Sequence, residues 1–291
     1  SLFVSSPLGQ LLAIFGPFGL GVFVFTIAIY LISSIETKNL FATFLLLLSF
    51  SITQLHAAGE MKEPMHPDWS FEGPLGKFER ASLQRGYQVY TEVCSGCHSM
   101  NLLSYRNLIE EGGPEFSESQ AKAMAAAFEV KAAPNADGEV EMRPAILSDK
   151  FVSPYENEQQ GRAANGGAYP PDLSVMVKAR HGGADYLYSL LLGYVDAPSD
   201  IKLDDGVYYN EYAKGQKIAM PQVLYEDAVV YTDGTTATPE QMARDVTMFL
   251  TWAAEPKLEA RKRIGFKVIS YLLILSVLLY FTNRQIWKDT H

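Results

Sequence analysis

The chain has 291 residues, of which 48% are hydrophobic and 20% charged, and its formal net charge is −9. The acidic excess lies in residues 58–260, which hold 31 acidic and 17 basic side chains, a net charge of −14. A surface of this sign repels nucleic acid and attracts basic proteins over about one Debye length. The same excess could serve only to keep the domain soluble, so composition alone leaves both interpretations open.

Two apolar segments precede the acidic region. Residues 1–39 contain an apolar run at 11–33 that is long enough to span a membrane, and we expect a candidate spanning helix there. Residues 40–57 follow Lys38, are apolar at first and end in small residues, which is typical of a secretory signal peptide. This pattern predicts that residues 58–260 form an exported domain.

The only two cysteines of the chain lie in the sequence Cys94-Ser-Gly-Cys97-His98. This is the spacing of covalent c-type haem attachment, in which two thiols add to the haem vinyl groups and the adjacent imidazole ligates the iron. The motif predicts one haem c, with thioethers at Cys94 and Cys97 and His98 as an axial ligand.

Three other uses of this motif are weaker. A structural zinc site needs four ligands, and the chain has no second cysteine pair. A thioredoxin-like redox pair should follow a strand, whereas a helical pattern precedes Cys94. A disulfide between Cys94 and Cys97 would close almost no loop and would stabilise little.

The exported domain is predicted to be mainly α-helical, with irregular loops. Leu83, Tyr87, Tyr90 and Cys94 are spaced as on one helix face, which we expect to pack on the porphyrin. Three further helices are predicted at 118–128, from 183 onward and from 239 to a stop before Pro256. Strand signals occur only at 229–231.

A methionine is the best candidate for the second axial ligand, because a thioether sulfur raises the haem potential and closes the iron to other ligands. Met220 lies in a loop before a proline, whereas other methionines have apolar neighbours and are expected in the core. These are Met124, Met176, Met242 and Met248. His181 is a rival imidazole, and spacing alone does not decide between them.

Residues 261–284 form an apolar run with basic ends and are predicted to be a transmembrane anchor, followed by a cytoplasmic or matrix-side tail at 285–291. The basic residues before this run would place the acidic domain in the cytoplasm. The signal-like segment points the other way, and Arg284 and Lys288 also make the far end basic. We therefore expect the domain in the periplasm or intermembrane space.

Residues 66–288 resemble the cytochrome c1 family, the membrane-anchored haem subunit of the cytochrome bc1 complex. The resemblance rests on sequence motifs at 69–74 (WSFEGP), 85–90 (RGYQVY), 170–174 (PPDLS), 179–183 (ARHGG), 218–221 (IAMP) and 252–256 (WAAEP). Two features depart from the family pattern: Gln222 and Val223 follow Pro221 where relatives often have more prolines, and the extra disulfide of some bacterial relatives cannot form here. Fused cytochrome b and c1 precursors in this family would account for a spanning helix before an internal signal.

The resemblance implies a cytochrome c-like haem domain with a C-terminal transmembrane helix. It implies His98 and Met220 as the two iron ligands and Arg180 near a haem propionate. Five further positions match residues that line the haem pocket, although loop and core packing would explain each alone. They are Asn165, Pro170, Pro171, Tyr186 and Leu190.

The function implied is a one-electron relay from the Rieske iron–sulfur protein to a soluble, basic cytochrome c. The relay would work beside cytochrome b in the ubiquinol:cytochrome c oxidoreductase of the inner or plasma membrane, a complex expected to be dimeric. Six carboxylates are candidates to steer cytochrome c: Glu110, Glu111, Glu115, Glu118, Glu156 and Glu158.

Two other function classes stay open on the residues alone. The first is a haem sensor or peroxidase with an open distal side, which reduced protein would reveal by binding carbon monoxide rapidly. The second is an anchored haem subunit of a terminal oxidase, which would copurify with a copper enzyme rather than with a b-type cytochrome.

Overall fold

The computed structural model describes residues 62–288. The predicted segments 1–39 and 40–57 lie outside these residues, as does the end of the tail. Seven α-helices follow in chain order: α1 (Arg80–Val89), α2 (Glu118–Ala126), α3 (Glu158–Ala164), α4 (Met176–Ala179), α5 (Gly183–Leu192), α6 (Pro239–Ala254) and α7 (Leu258–Ile286). A π-helical turn, Tyr90–Cys94, continues α1, and 3-10 turns cover Tyr105–Ile109 and Lys214–Gln216. The prediction of a mainly helical fold is confirmed.

Helices α1 and α6 cross at the centre of the core. Gly86 makes this approach feasible, because a Cβ atom there would lie 2.1 Å from the carbonyl oxygen of Asp245. Tyr87 and Tyr90 pack their rings on Phe249 at centroid distances of 5.8 and 5.9 Å, and Tyr90 also stacks on Phe151. Protein side chains therefore cover Leu83, Tyr87 and Tyr90, and the expectation that these three residues contact a porphyrin is wrong. Cys94, the last residue of the predicted stripe, is half-buried.

The predicted helix starts are confirmed by their capping bonds. Ser117 accepts a hydrogen bond from the backbone of Gln120, whose side chain accepts one from the backbone of Ser117 in return. The Thr238 hydroxyl accepts a hydrogen bond from the backbone of Gln241 at the start of α6, and Pro239 occupies the first helical position. Helix α2 ends at Ala126, two residues before the predicted end.

The strand predicted at 229–231 is wrong. Val229 and Tyr231 are buried and Val230 is exposed, so the alternation is that of a strand, but no neighbouring strand pairs with it among residues 62–288. The Val230 carbonyl oxygen instead accepts a hydrogen bond from Gln88 on α1. The described strands form two short antiparallel pairs, β1 (Glu129–Lys131) with β2 (Met142–Pro144) and β3 (Tyr208–Tyr209) with β4 (Lys217–Ile218).

Helix α7 is the one described helix that is long and apolar enough to cross a membrane, with a mean hydropathy of 2.1 over its most apolar window. Its first turn is tied to the rest of the domain. The Glu259 carboxylate accepts hydrogen bonds from both terminal nitrogens of Arg80, at 2.7 and 2.9 Å, and from the backbone of Phe78 at 2.9 Å. The Lys262 ammonium group donates to the carbonyl oxygen of Phe71.

Candidate cofactor site

The two cysteines and His98 lie on a single turn at the end of the π-helical segment. The Cys94 carbonyl oxygen accepts hydrogen bonds from the backbone amides of Cys97 at 3.1 Å and His98 at 2.9 Å. Both thiols are free; Cys94 is half-buried against the core and Cys97 is exposed. Burial raises the pKa of the Cys94 thiol to about 12, so this group stays protonated at neutral pH.

The imidazole of His98 is held by the main chain of a distant loop. Its Nδ1 atom lies 2.8 Å from the carbonyl oxygen of Pro171, which can only accept, so Nδ1 carries the proton. Nε2 forms no hydrogen bond to residues 62–288, and its lone pair is available to a metal. Burial lowers the pKa of His98 below its ordinary value, although the Pro171 carbonyl and the Asp172 carboxylate oppose that shift. The net lowering favours a neutral imidazole, the form that ligates iron.

Asp172 fixes the loop that carries Pro171. One carboxylate oxygen accepts from the Ser99 hydroxyl at 2.9 Å and from the backbone of Asn101 at 2.8 Å, and the other accepts from the backbone of Ser174 at 2.8 Å. Sequence reasoning assigned no role to Asp172. Its position two residues before Ser174, after two prolines, is the signal of an Asx turn and could have identified it.

Met220 lies just after β4, in a loop tied to the end of α5. The Tyr194 hydroxyl donates to the carbonyl oxygen of Met220 at 2.9 Å. Met220 is half-buried, whereas Met176, Met242 and Met248 are buried in the core, as expected of methionines that only pack. Met124, the fourth methionine expected in the core, is also half-buried and packs against the core. Burial therefore separates Met220 from three of these four methionines.

Arg180 is exposed, and its guanidinium group makes one hydrogen bond, to the carbonyl oxygen of the adjacent Ala179. No carboxylate within residues 62–288 pairs with it, so its donors are available to an anionic group such as a propionate. His181 is also exposed.

The other predicted pocket residues fall into two groups. Tyr186 and Leu190 are half-buried on α5, the helix that leads to Tyr194, and Pro170 is half-buried beside the loop that contacts His98. Asn165 is different, because its amide donates to the carbonyl oxygen of Gly161 at 2.7 Å and to the Tyr155 hydroxyl at 2.9 Å. These bonds explain Asn165 by a structural role at the C-terminal end of α3.

The donor set fits a covalently held haem. It combines two free thiols on one turn, an imidazole with one anchored and one available nitrogen, a loop methionine outside the core and an unpaired arginine. A tetrahedral zinc site built around the two thiols would need a second imidazole or carboxylate in contact with them. Asp172, the carboxylate that interacts with His98, already accepts three hydrogen bonds.

Comparison with known proteins gives a consistent result. The Cytochrome C1 family matches residues 69–290. The chain is 50% identical over 244 residues to mitochondrial cytochrome c1 2 of Arabidopsis thaliana, covering 83% of this chain and 78% of the relative. It is 48% identical over 227 residues to the mitochondrial cytochrome b-c1 complex catalytic subunit of Candida albicans, covering 77% and 78%. It is 44% identical over 248 residues to cytochrome b/c1 of Bradyrhizobium diazoefficiens, covering 79% of this chain and 36% of that longer protein.

Proposed function

Because the chain belongs to the cytochrome c1 family, we propose that it is the membrane-anchored electron relay of a cytochrome bc1 complex. It would accept single electrons from the Rieske iron–sulfur protein and deliver them to a soluble cytochrome c, as a redox subunit of ubiquinol:cytochrome c oxidoreductase. The observation that carries the proposal is the anchored imidazole of His98 beside two free thiols.

Cys94 and Cys97 would hold haem c by thioether bonds, and His98 and Met220 would be its axial ligands. Bound haem supplies the one-electron couple of its iron. The chain's own residues would orient the two ligands. Pro171 fixes the His98 ring, and Tyr194 fixes the main chain at Met220. Arg180 would hold a propionate, and Pro170, Tyr186 and Leu190 would exclude water from the ring.

We further propose the division of the chain into an exported haem domain at 58–260, an anchor at 261–284 and a matrix-side or cytoplasmic tail. The described helix α7 extends beyond the anchor at both ends, which supports a head rigidly joined to its membrane helix through Arg80 and Glu259. The domain would be exported into the periplasm or intermembrane space, where c-type haem attachment is expected.

The docking surface for cytochrome c needs revision. All six glutamates suggested by the sequence are engaged: Glu110, Glu111, Glu115, Glu118, Glu156 and Glu158 each pair with a lysine or arginine at 2.5–3.1 Å. Pairing neutralises much of their field, so they are weak candidates for steering.

The loop between α5 and β3 is the better candidate. Asp196, Asp200, Asp204 and Asp205 are all exposed there, and none forms an ion pair with a residue that the structure describes. This loop is tied to the strand before Met220, because the Lys217 ammonium group donates to the carbonyl oxygen of Lys202 at 2.7 Å. We propose that these aspartates attract basic cytochrome c toward the distal side of the site.

The direct test of covalent attachment is denaturing electrophoresis with a stain for haem peroxidase activity. The parent chain should retain its haem, and a variant with Cys94→Ser and Cys97→Ser together should lose it, with Ser95→Ala as the matched control. Copurification with a b-type cytochrome and a Rieske protein would support the complex assignment. Copurification with a copper oxidase instead would favour the terminal oxidase alternative.

A further inference from the structure

A second site with metal-ligand chemistry lies between the segment before α1 and the first turn of α5. His66, Glu72 and Asp185 each offer a ligand atom there, and these atoms all lie within 4.8 Å of one another. His66 Nδ1 is 2.7 Å from the nearer carboxylate oxygen of Asp185, and His66 Nε2 is 3.7 Å from Glu72 Oε2.

We propose that His66, Glu72 and Asp185 form a zinc-binding site with an open fourth position for water or another ligand. One imidazole and two carboxylates are ligands that zinc accepts at bond lengths of about 2.0–2.2 Å. A tetrahedral ion of that size needs its ligand atoms roughly 3.4 Å apart. The two distances above involve different ring nitrogens of His66, of which only one can bind a given ion. The three ligand atoms as a set lie within 4.8 Å of one another, and rotations of the exposed His66 and Glu72 side chains would bring them to this separation.

Accessibility and orientation also fit such a site. The side chains of His66 and Glu72 are 59% and 47% exposed, so hydrated zinc can reach them, whereas Asp185 is only 26% exposed and more rigidly placed. Trp69 Nε1 donates a hydrogen bond of 2.6 Å to Asp185 Oδ1. That bond leaves Oδ2 directed at His66, and outer hydrogen bonds of this kind commonly orient metal-ligating carboxylates.

The charges around the cluster favour a divalent cation. Asp68 is a third carboxylate that interacts with His66, after Asp185 and Glu72. Two cations lie nearby. Arg244 lies over the Trp69 ring at 5.6 Å and donates to the carbonyl oxygen of Asp68, and Lys262 donates to the carbonyl oxygen of Phe71 and interacts with Glu72. The three carboxylates outnumber these two positive charges.

Zinc would connect a segment without helix or strand to helix α5. Residues 62–78 contain no helix or strand and are attached to α5 by a few side-chain bonds, including one from the Met65 amide to the Ser189 hydroxyl. Helix α5 carries Tyr186 and Leu190 of the candidate cofactor site. Bound zinc should therefore protect residues 62–78 from proteolysis. This consequence does not depend on the proposed electron relay.

The test is a calorimetric titration of the full-length, haem-loaded protein in detergent with Zn²⁺, after removal of adventitious metal by a chelator. We expect one zinc per chain, with zinc K-edge absorption showing imidazole and oxygen ligands and no sulfur. His66→Gln should weaken binding by about 100-fold or more, and Glu72→Gln should also weaken it. Trp69→Phe should weaken it by about 10-fold through Asp185, since outer-sphere partners contribute 10–100-fold.

Two controls keep the result decisive. His181→Gln removes an exposed histidine outside the cluster and should leave zinc affinity unchanged. The visible haem spectrum of each variant reports whether the fold is intact. Failure of the parent to bind zinc at millimolar concentration, or parental affinity in both His66→Gln and Glu72→Gln, would overturn the proposal.

Discussion

The Nδ1 atom of His98 donates its proton to the carbonyl oxygen of Pro171 at 2.8 Å, a bond between residues 73 positions apart. The bond fixes the tautomer and the plane of the ring, so that Nε2 is the atom presented to a metal. The loop that supplies the carbonyl oxygen is itself fixed by Asp172. The placement of the His98 ring therefore depends on Asp172, which acts through the loop that carries Pro171.

Asp172→Asn tests this dependence. An amide cannot accept all three hydrogen bonds with its carbonyl oxygen alone, and it carries no charge. We expect a loss of about 1.5 kcal/mol in the free energy of unfolding, at the low end for hydrogen bonds to charged groups because Asp172 is half-buried. Chemical denaturation followed by circular dichroism measures it. Asp196→Asn, at an exposed and unpaired site, is the control and should unfold like the parent.

Breaking the buried ion pair between Arg85 on α1 and Asp245 on α6 should destabilise the protein more than Asp172→Asn does. Arg85 donates to both carboxylate oxygens of Asp245, at 2.8 and 3.1 Å, and the Asp245 side chain is fully buried. Asp245→Asn leaves the guanidinium group partly buried without its main counter-charge, which should cost about 3–5 kcal/mol. Glu118→Gln breaks an exposed pair with Lys122 and should leave the denaturation midpoint almost unchanged. Equal midpoints for the two variants would contradict the importance of the buried pair.

Asp233 makes the stability of this region depend on pH. A hydrogen bond from the Thr235 amide, followed by one from Arg85, lowers the pKa of Asp233 to about 2. A group with a depressed pKa contributes stability above its unfolded pKa of about 3.9 and loses it as the pH falls through the folded value. The difference in thermal midpoint between the parent and Asp233→Asn should be constant above about pH 5 and should shrink between about pH 4 and pH 2. A difference that grows on acidification would contradict this assignment.

Steering of cytochrome c should reside in the loop between α5 and β3. Replacing Asp196, Asp200, Asp204 and Asp205 by asparagine should slow cytochrome c reduction at low ionic strength by about 10-fold or more, and the difference should fade as salt is added. The matched control is Glu156→Gln with Glu158→Gln, since these carboxylates are already paired with Lys131 and Arg162. A larger effect of the control would locate the docking surface around α3 instead.

Local patterns in the sequence predicted much of the fold. Capping residues fixed the starts of α2 and α6, and the spacing of Cys94, Cys97 and His98 identified one turn that the structure confirms as a unit. These signals act over a few residues, and so they can be read from one chain. The partner of His98 could not be read in this way, because the bond to Pro171 depends on how two distant loops meet.

The failures have the same cause. The stripe of Leu83, Tyr87 and Tyr90 showed which face of α1 is buried but not what covers it, and α6 covers it. The alternation at 229–231 showed extended chain but could not supply a second strand. Four of the six glutamates chosen for docking could not be recognised as paired, since their partners are reached only through tertiary contacts. The other two, Glu118 and Glu158, form local i,i+4 pairs.

The most direct test of iron ligation by His98 and Met220 is the behaviour of Met220→Leu in the full-length, haem-loaded protein. We predict that the reduced parent does not bind carbon monoxide rapidly, and that Met220→Leu binds it, shows an altered visible spectrum and has a lower midpoint potential, because the thioether ligand is lost. Met142→Leu, at an exposed methionine, should match the parent in all three measurements. A Met220→Leu spectrum identical to that of the parent, or rapid carbon monoxide binding by the parent, would contradict ligation by His98 and Met220.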